Sequence, residues 1–240
     1  MPTRRIVLFD IDGTLLSTPA TEDSEKRRYV DTIRDVVGKE PRVIPSRFAG
    51  MVDPQICKIL LAELGLSSYE VDRFLPQVLA RMGDVYRHME KRVVLNSGVM
   101  ELLTTLAQFT DHVSGVLTGN LTAVAEDKLT VTGIREYFSE LFCANHYFDR
   151  TSLVQNAVRT CMTKHELNAS KEVIIVGDTP LDMKAAQTSN ATSVGVATGV
   201  YTNAQLSEAG AEFVYPSLEP TNELLAGLGV IRHNSRARSK

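Results

Sequence analysis

The sequence has no tryptophan and only three cysteines among its 240 residues. Cys57, Cys143 and Cys161 form neither a CxxC pair nor a metal-ligand spacing, and they read as reduced, mostly buried thiols. Its five histidines (His88, His112, His146, His165 and His233) show no HxxxH spacing, so a histidine-ligated metal is not expected. No apolar run approaches the ~18 residues that a membrane span requires. Charge of one sign is also scarce. A net charge of −3 gives no general attraction to nucleic acid or to an anionic membrane surface. The first strand-like run begins within a few residues of Met1, leaving no room there for a signal peptide. The expectation is a soluble, cytoplasmic protein that binds neither nucleic acid nor membrane. With 43% apolar residues, the chain can build a substantial core.

Short β-rich runs recur at Ile6–Phe9, Val113–Leu117, Leu141–Cys143, Val173–Val176, Thr192–Val196 and Phe213–Tyr215. Runs this short and this apolar suit strands buried on both faces. Helical patterns lie between them. Val99, Leu102, Leu103 and Leu106 follow Ser97 as a cap, and Leu153, Val154, Ala157, Val158 and Cys161 follow Thr151 or Ser152. Strand–helix alternation predicts βαβ units and a doubly wound parallel α/β sheet. Residues 18–93 contain no strand-like run. Three helical patterns fill them: one ended by Gly38, one capped by Asp53 and stopped by Gly65, and one broken or begun near Pro76. This predicts a core of residues 1–17 and 94–240 with a helical domain, 18–93, inserted after the first strand. The polar, basic tail from Ile231 to Lys240 is expected to fray.

The stretch FDIDGTLLS places Asp10 and Asp12 just beyond a buried strand. Two carboxylates so close repel each other, and the carboxyl ends of parallel strands are where such sheets bind ligands. Other strand ends carry polar groups as well: Thr118-Gly119-Asn120, Arg150, and Gly177-Asp178 with Asp182 four residues on. Asp10, Asp12 and Asp178 together would concentrate negative charge that needs a cation. All-oxygen ligands favour a hard ion such as Mg²⁺, which keeps waters and takes substrate phosphate into its shell. The Thr118 hydroxyl and the Gly119 amide suit phosphate oxygens, a helix starting near Asn120 adds its N-terminal dipole, and Arg150 adds charge.

In this arrangement the sequence resembles the haloacid dehalogenase-like hydrolases, in the branch with a helical cap after the first strand and closest to phosphoglycolate phosphatase-like members. The motifs occur in order: DIDGT at 10–14, LTGN at 117–120, a basic residue at 150 and GDTPLD at 177–182. The resemblance implies a Mg²⁺-dependent phosphatase acting on a small phosphorylated metabolite through an aspartyl-phosphate. Asp10 would be the nucleophile and Asp12 the general acid and base. Mg²⁺ would be held by the Asp10 side chain, the Asp12 backbone carbonyl and Asp178. Thr118, Gly119, Asn120 and Arg150 would bind the phosphate. Asp182 would orient Arg150 or a water of the ion's shell rather than bind the ion.

The third motif departs from the family, which usually has lysine there; Lys128, Lys164 and Lys171 are the substitutes to consider. Asp12 argues for an alkoxide leaving group over a halide, since only the former needs an acid. Phosphonate cleavage would need a cap lysine in an apolar setting, and Lys26, Lys39, Lys58 and Lys91 show no such setting. Alternatives are a phosphosugar mutase with the same core residues and a binding or regulatory protein that has lost turnover. In the loop SRFAGMVDP, Arg47 reads as a solvated charge and Asp53 as a helix cap, though the loop, with Gly50, can face the site.

Overall fold

The computed structural model describes residues 4–19, 23–90 and 92–231. Lys91 and the basic tail beyond residue 231 lie outside them. The chain opens with β1 (Arg5–Phe9) and β2 (Leu16–Ser17), then runs through α1 (Ser24–Val37), α2 (Asp53–Glu63) and α3 (Ser68–His88). It returns through β3 (Val94–Leu95), α4 (Val99–Leu106), β4 (His112–Leu117), α5 (Thr122–Val131) and β5 (Glu140–Phe142). It then alternates through α6 (Arg150–Lys164), β6 (Val173–Gly177), α7 (Pro180–Thr188), β7 (Thr192–Val196), α8 (Asn203–Glu208), β8 (Phe213–Tyr215) and α9 (Asn222–Gly227).

The main sheet has the order β5-β4-β1-β6-β7-β8, and every pairing in it is parallel. Each strand is short and apolar because both faces are covered. The residues of β1 alternate accordingly. Val7 and Phe9 pack with α4, α5 and α9 residues such as Leu102, Leu129 and Leu224. Ile6 and Leu8 pack on the other face with α6 and α7 residues such as Leu153, Val154 and Ala185. Fully burying one such side chain contributes roughly 1.5–3 kcal/mol, so these two layers hold β1 rigidly. The strand order reverses at β1. Phe9 is level with Val116 of β4 and with Val176 of β6, so Asp10, Thr118 and Asp178 leave the sheet at the same edge. This is the crevice where ligands bind in open parallel sheets.

The helical cap α1–α3 leaves the core through β2 and returns through β3, which pair antiparallel. It has its own apolar centre of Tyr29, Ile33, Leu60, Leu61, Val78, Met82 and Tyr86. That centre also takes in Leu121 and Val124 beside and within α5, so α5 joins cap to core. Three local expectations change. Helix α3 runs unbroken for 21 residues with Pro76 inside it, begun by a reciprocal Ser67–Glu70 capping box. Helix α4 is capped by Gly98 in a left-handed conformation, not by Ser97, whose hydroxyl donates to Glu219 Oε1 at 3.1 Å. Helix α6 starts two or three residues earlier than expected because Asp149 caps it, accepting from the Ser152 amide at 2.8 Å.

Candidate active site

The Asp10 amide donates to the Val176 carbonyl at 2.9 Å, extending the β1–β6 ladder by one residue. The chain then turns sharply at Gly13, whose φ is +83°. A side chain there would overlap the Asp178 carboxylate, so glycine meets both a backbone and a packing requirement. The turn is pinned from outside. Asn96 Nδ2 donates to the Gly13 and Thr14 carbonyls at 3.2 and 2.9 Å, and the Thr198 hydroxyl donates to the Gly13 carbonyl at 2.6 Å.

Asp10, Asp178 and Asp182 are buried and offer carboxylate oxygens within 4.8 Å of one another. Arg150, at the first position of α6, lies among them. Its Nη2 is 3.3 Å from Asp10 Oδ1 and 2.5 Å from Asp182 Oδ1, and it donates to the Leu117 carbonyl at 3.2 Å. Thr14 Oγ1 donates to Asp178 Oδ1 at 3.0 Å. Burial raises the Asp10 carboxyl to about 7; Asp182 and Asp12 push the same way while Arg150 opposes. Asp178 is raised to about 8 by burial, then by Asp10 and Asp182. When all three are ionised, three carboxylates against one guanidinium leave two negative charges uncompensated. A buried, all-oxygen site with that deficit fits one hard divalent cation. Asp10 and Asp178 would hold it, while Asp182 is engaged by Arg150.

Asp12 points elsewhere. Its Oδ1 lies 2.6 Å from Lys128 Nζ, and its Oδ2 accepts from Asn120 Nδ2 at 2.7 Å. Burial would raise its pKa, but Lys128 and Arg28 outweigh that and hold the carboxyl below the usual range. The Asp12 carboxylate is thus no member of the acidic cluster, which leaves only its backbone carbonyl for the metal role expected from the sequence. Asn120, expected at the phosphate, instead spends its amide on Asp12 and on Thr118 Oγ1, the latter also at 2.7 Å. Gly119 stands against the cap: a Cβ there would overlap the Met51 carbonyl, and the Asp53 amide donates to the Gly119 carbonyl at 2.7 Å.

Of the substitute lysines, Lys164 pairs with Glu140, which begins β5, and Lys171, just before β6, pairs with Glu212, both at the amino ends of the strands and away from the site. Lys128 does reach the site, though through Asp12. It is fully buried, 2.8 Å from Glu25 Oε1 of α1, with its ammonium 5.5 Å from the centre of the Tyr86 ring. Asp53 is not the cap of its own helix, which Val52 caps. Its carboxylate accepts from Arg28 Nη1 at 2.9 Å, the Tyr29 hydroxyl at 2.6 Å and the Leu121 amide at 2.9 Å, so it joins α1 to the start of α5. Glu25, Arg28 and Tyr29 were not singled out from the sequence. A signal was present: Ser24, Arg28 and Thr32 recur at four-residue spacing on the buried face of α1, and a charge on such a face needs a partner. Arg47 faces outward to Glu63 at 2.6 Å.

These groups line a cavity of about 240 Å³ between the strand ends and the cap loop, with Asp10, Asp12, Thr118, Arg150 and Asp178 on its core side. The haloacid dehalogenase-like hydrolase profile matches residues 7–196, spanning all of the motifs. The chain belongs to the haloacid dehalogenase-like hydrolase family. Among relatives of this hydrolase, a phosphoglycolate phosphatase of Vibrio cholerae is 24% identical over 231 residues, covering 89% of this chain and 93% of that one. A predicted phosphatase from Clostridium acetobutylicum superposes with a TM-score of 0.68 at 18% identity, over 95% of this chain and 100% of that one. CbbY from Rhodobacter sphaeroides, solved in complex with phosphate, superposes at 0.64 with 16% identity, over 95% and 100%. At such identities these structures share the fold.

Proposed function

We propose that this hydrolase is a Mg²⁺-dependent phosphatase that removes phosphate from a small metabolite through an aspartyl-phosphate on Asp10. The observation that carries the reading is the convergence of Asp10, Arg150, Thr118 and Asp178 on one cavity at the strand ends. Asp10 is fixed by its backbone bond to β6 and by Arg150, which suits a carboxylate nucleophile attacking phosphorus. The Arg150 guanidinium and the Thr118 hydroxyl supply donors for the transferring phosphoryl oxygens. Asp182 holds Arg150 in place. Asp12, gripped at both oxygens, is positioned to accept the proton of the hydrolytic water and to serve the leaving oxygen. Mg²⁺ bound by Asp10 and Asp178 would lower the repulsion between carboxylate and phosphoester. The cap loop, seated on Gly119, excludes water from the cavity.

A vibrio relative named as a phosphoglycolate phosphatase supports the phosphoester class. The test is inorganic phosphate release from a panel of small phosphoesters with Mg²⁺. Release that Asp10→Asn and chelation both abolish is the expected result. Transfer of phosphate between sugar positions without release would point to a mutase. Wild-type protein as inert as Asp10→Asn on the whole panel would overturn the reading.

A further inference from the structure

The two walls of the cavity differ in chemistry. The core wall is charged. The cap wall presents Val43, Pro45, Phe48, Met51 and Ile56, beside a mutually tied polar group of Glu25, Arg28, Tyr29 and Asp53. The cap arginine that also lines it, Arg28, is neutralised in place: Nη1 donates to Asp53 at 2.9 Å, Nη2 donates to the Tyr29 hydroxyl at 2.7 Å, and Nε lies 3.0 Å from Glu25 Oε2 as an ion pair without a hydrogen bond. Lys128, behind the wall, is held between Asp12 and Glu25. Arg47 turns away to Glu63, and Lys58 lies over the Phe148 ring with its ammonium 6.0 Å from the centre. No lysine lines the cavity among the described residues. A phosphoester bound with its phosphate on Arg150 and Thr118 therefore places its leaving group against apolar side chains flanked by two carboxylates and a neutralised arginine.

A second anionic group on that side would lose its water and gain no free cation, which is costly. An alkyl or aryl group would gain by burial. At about 240 Å³ the space is below the ~300–1,000 Å³ typical of drug-sized ligands, so the leaving group is short. We infer that the leaving group is a short, uncharged, predominantly apolar alcohol, and that carboxylated or bis-phosphorylated esters are poor substrates. This rests on the phosphatase reading and narrows it, and it separates this chain from what the name of its vibrio relative says of that protein.

The experiment compares n-propyl phosphate with phosphoglycolate, which is of similar length but ends in a carboxylate. Wild-type protein with Mg²⁺ is assayed for phosphate release, and binding of each ester is measured in parallel by calorimetry. The expected kcat/KM favours propyl phosphate by at least ~10-fold, the scale on which an apolar pocket discriminates. Met51→Arg, which places a cation on a half-buried part of the wall, is expected to shift that ratio toward phosphoglycolate by about the same factor. Equal or better turnover of phosphoglycolate by wild type, or a ratio unmoved in Met51→Arg, overturns the inference. If neither ester is hydrolysed, the phosphatase reading is judged separately, by the full phosphoester panel. Binding then decides the cap-wall inference: at least ~10-fold tighter propyl phosphate upholds it, and equal or tighter phosphoglycolate overturns it.

Discussion

Asp12 and Lys128 show how one side chain can change the reading of another. The two carboxylates of the DIDGT stretch lie two residues apart in the sequence, yet their environments separate them. Asp10 is raised by burial, whereas Asp12 is held down by Lys128. Two neighbouring carboxylates pushed in opposite directions are a recurrent device for assigning different roles in one site. Asp10→Asn keeps the shape but removes the nucleophile, and phosphate release is expected to fall by at least ~10³-fold; residual activity within ~10-fold of wild type would count against Asp10 as nucleophile. Lys128→Met leaves Glu25 and Asp12 without their shared cation. Breaking a buried pair costs about 3–5 kcal/mol, and the lower end applies because the Asp12 side chain is 39% exposed. Urea denaturation checks this. A loss under ~1 kcal/mol would mean that the Asp12–Lys128–Glu25 bridge adds little to folding.

At the scale of elements, α5 and the cap loop matter most. Helix α5 supplies Val124 to the cap centre and Lys128 to Asp12. The amide of Leu121, just before it, is tied to Asp53 of α2. Cap position and site geometry therefore share one support. A tight backbone meeting point is Gly119 against Met51 and Val52. Gly119→Ala is expected to lift the cap loop by displacing the Met51 carbonyl, since backbone cannot swing aside as a side-chain tip can. The consequence is a KM raised about 10-fold with a smaller change in kcat, because substrate binding needs the closed loop while Asp10 and Arg150 keep their places. A steady-state KM equal to wild type would show that the loop bears no substrate contact.

For the whole molecule, the acidic cluster sets a dependence of stability on pH and divalent ions. Asp10 and Asp178 rise from 3.8 to about 7 and about 8 on folding, so without a cation the folded chain holds protons that the unfolded chain releases. The associated stability is complete below about pH 4 and is lost as pH rises through 7 and 8. His112, lowered to about 4 by burial, has the opposite effect, confined to the span between about 4 and its ordinary 6.5. The window from about pH 6.5 to 7.5 lies above the His112 span and below the ordinary range of Cys57, Cys143 and Cys161, whose thiols burial also raises. In chelator, Tm is expected to fall across it. Mg²⁺ is expected to raise Tm, and more at the upper end, because binding to the folded state grows as the carboxylates ionise. Asp178→Asn should flatten both effects. A Tm that climbs with pH in chelator would contradict the assignment.

The sequence by itself determined the parallel α/β core, the helical segment after the first strand, and the residues that end the central strands. Each of these is written in local pattern: apolar runs of strand length, helical spacing, and a carboxylate or hydroxyl one residue past a run. Arg150 comes to lie 3.3 Å from Asp10 because strand ends in such a sheet share one edge. Only the tertiary structure decided which carboxylate meets which cation. Asp12 and Lys128 are 116 positions apart, and Arg28 and Asp53 are 25 apart on different cap helices. Nothing local specifies such pairs, since they arise only when elements distant in the chain pack together and each buried charge must find a partner.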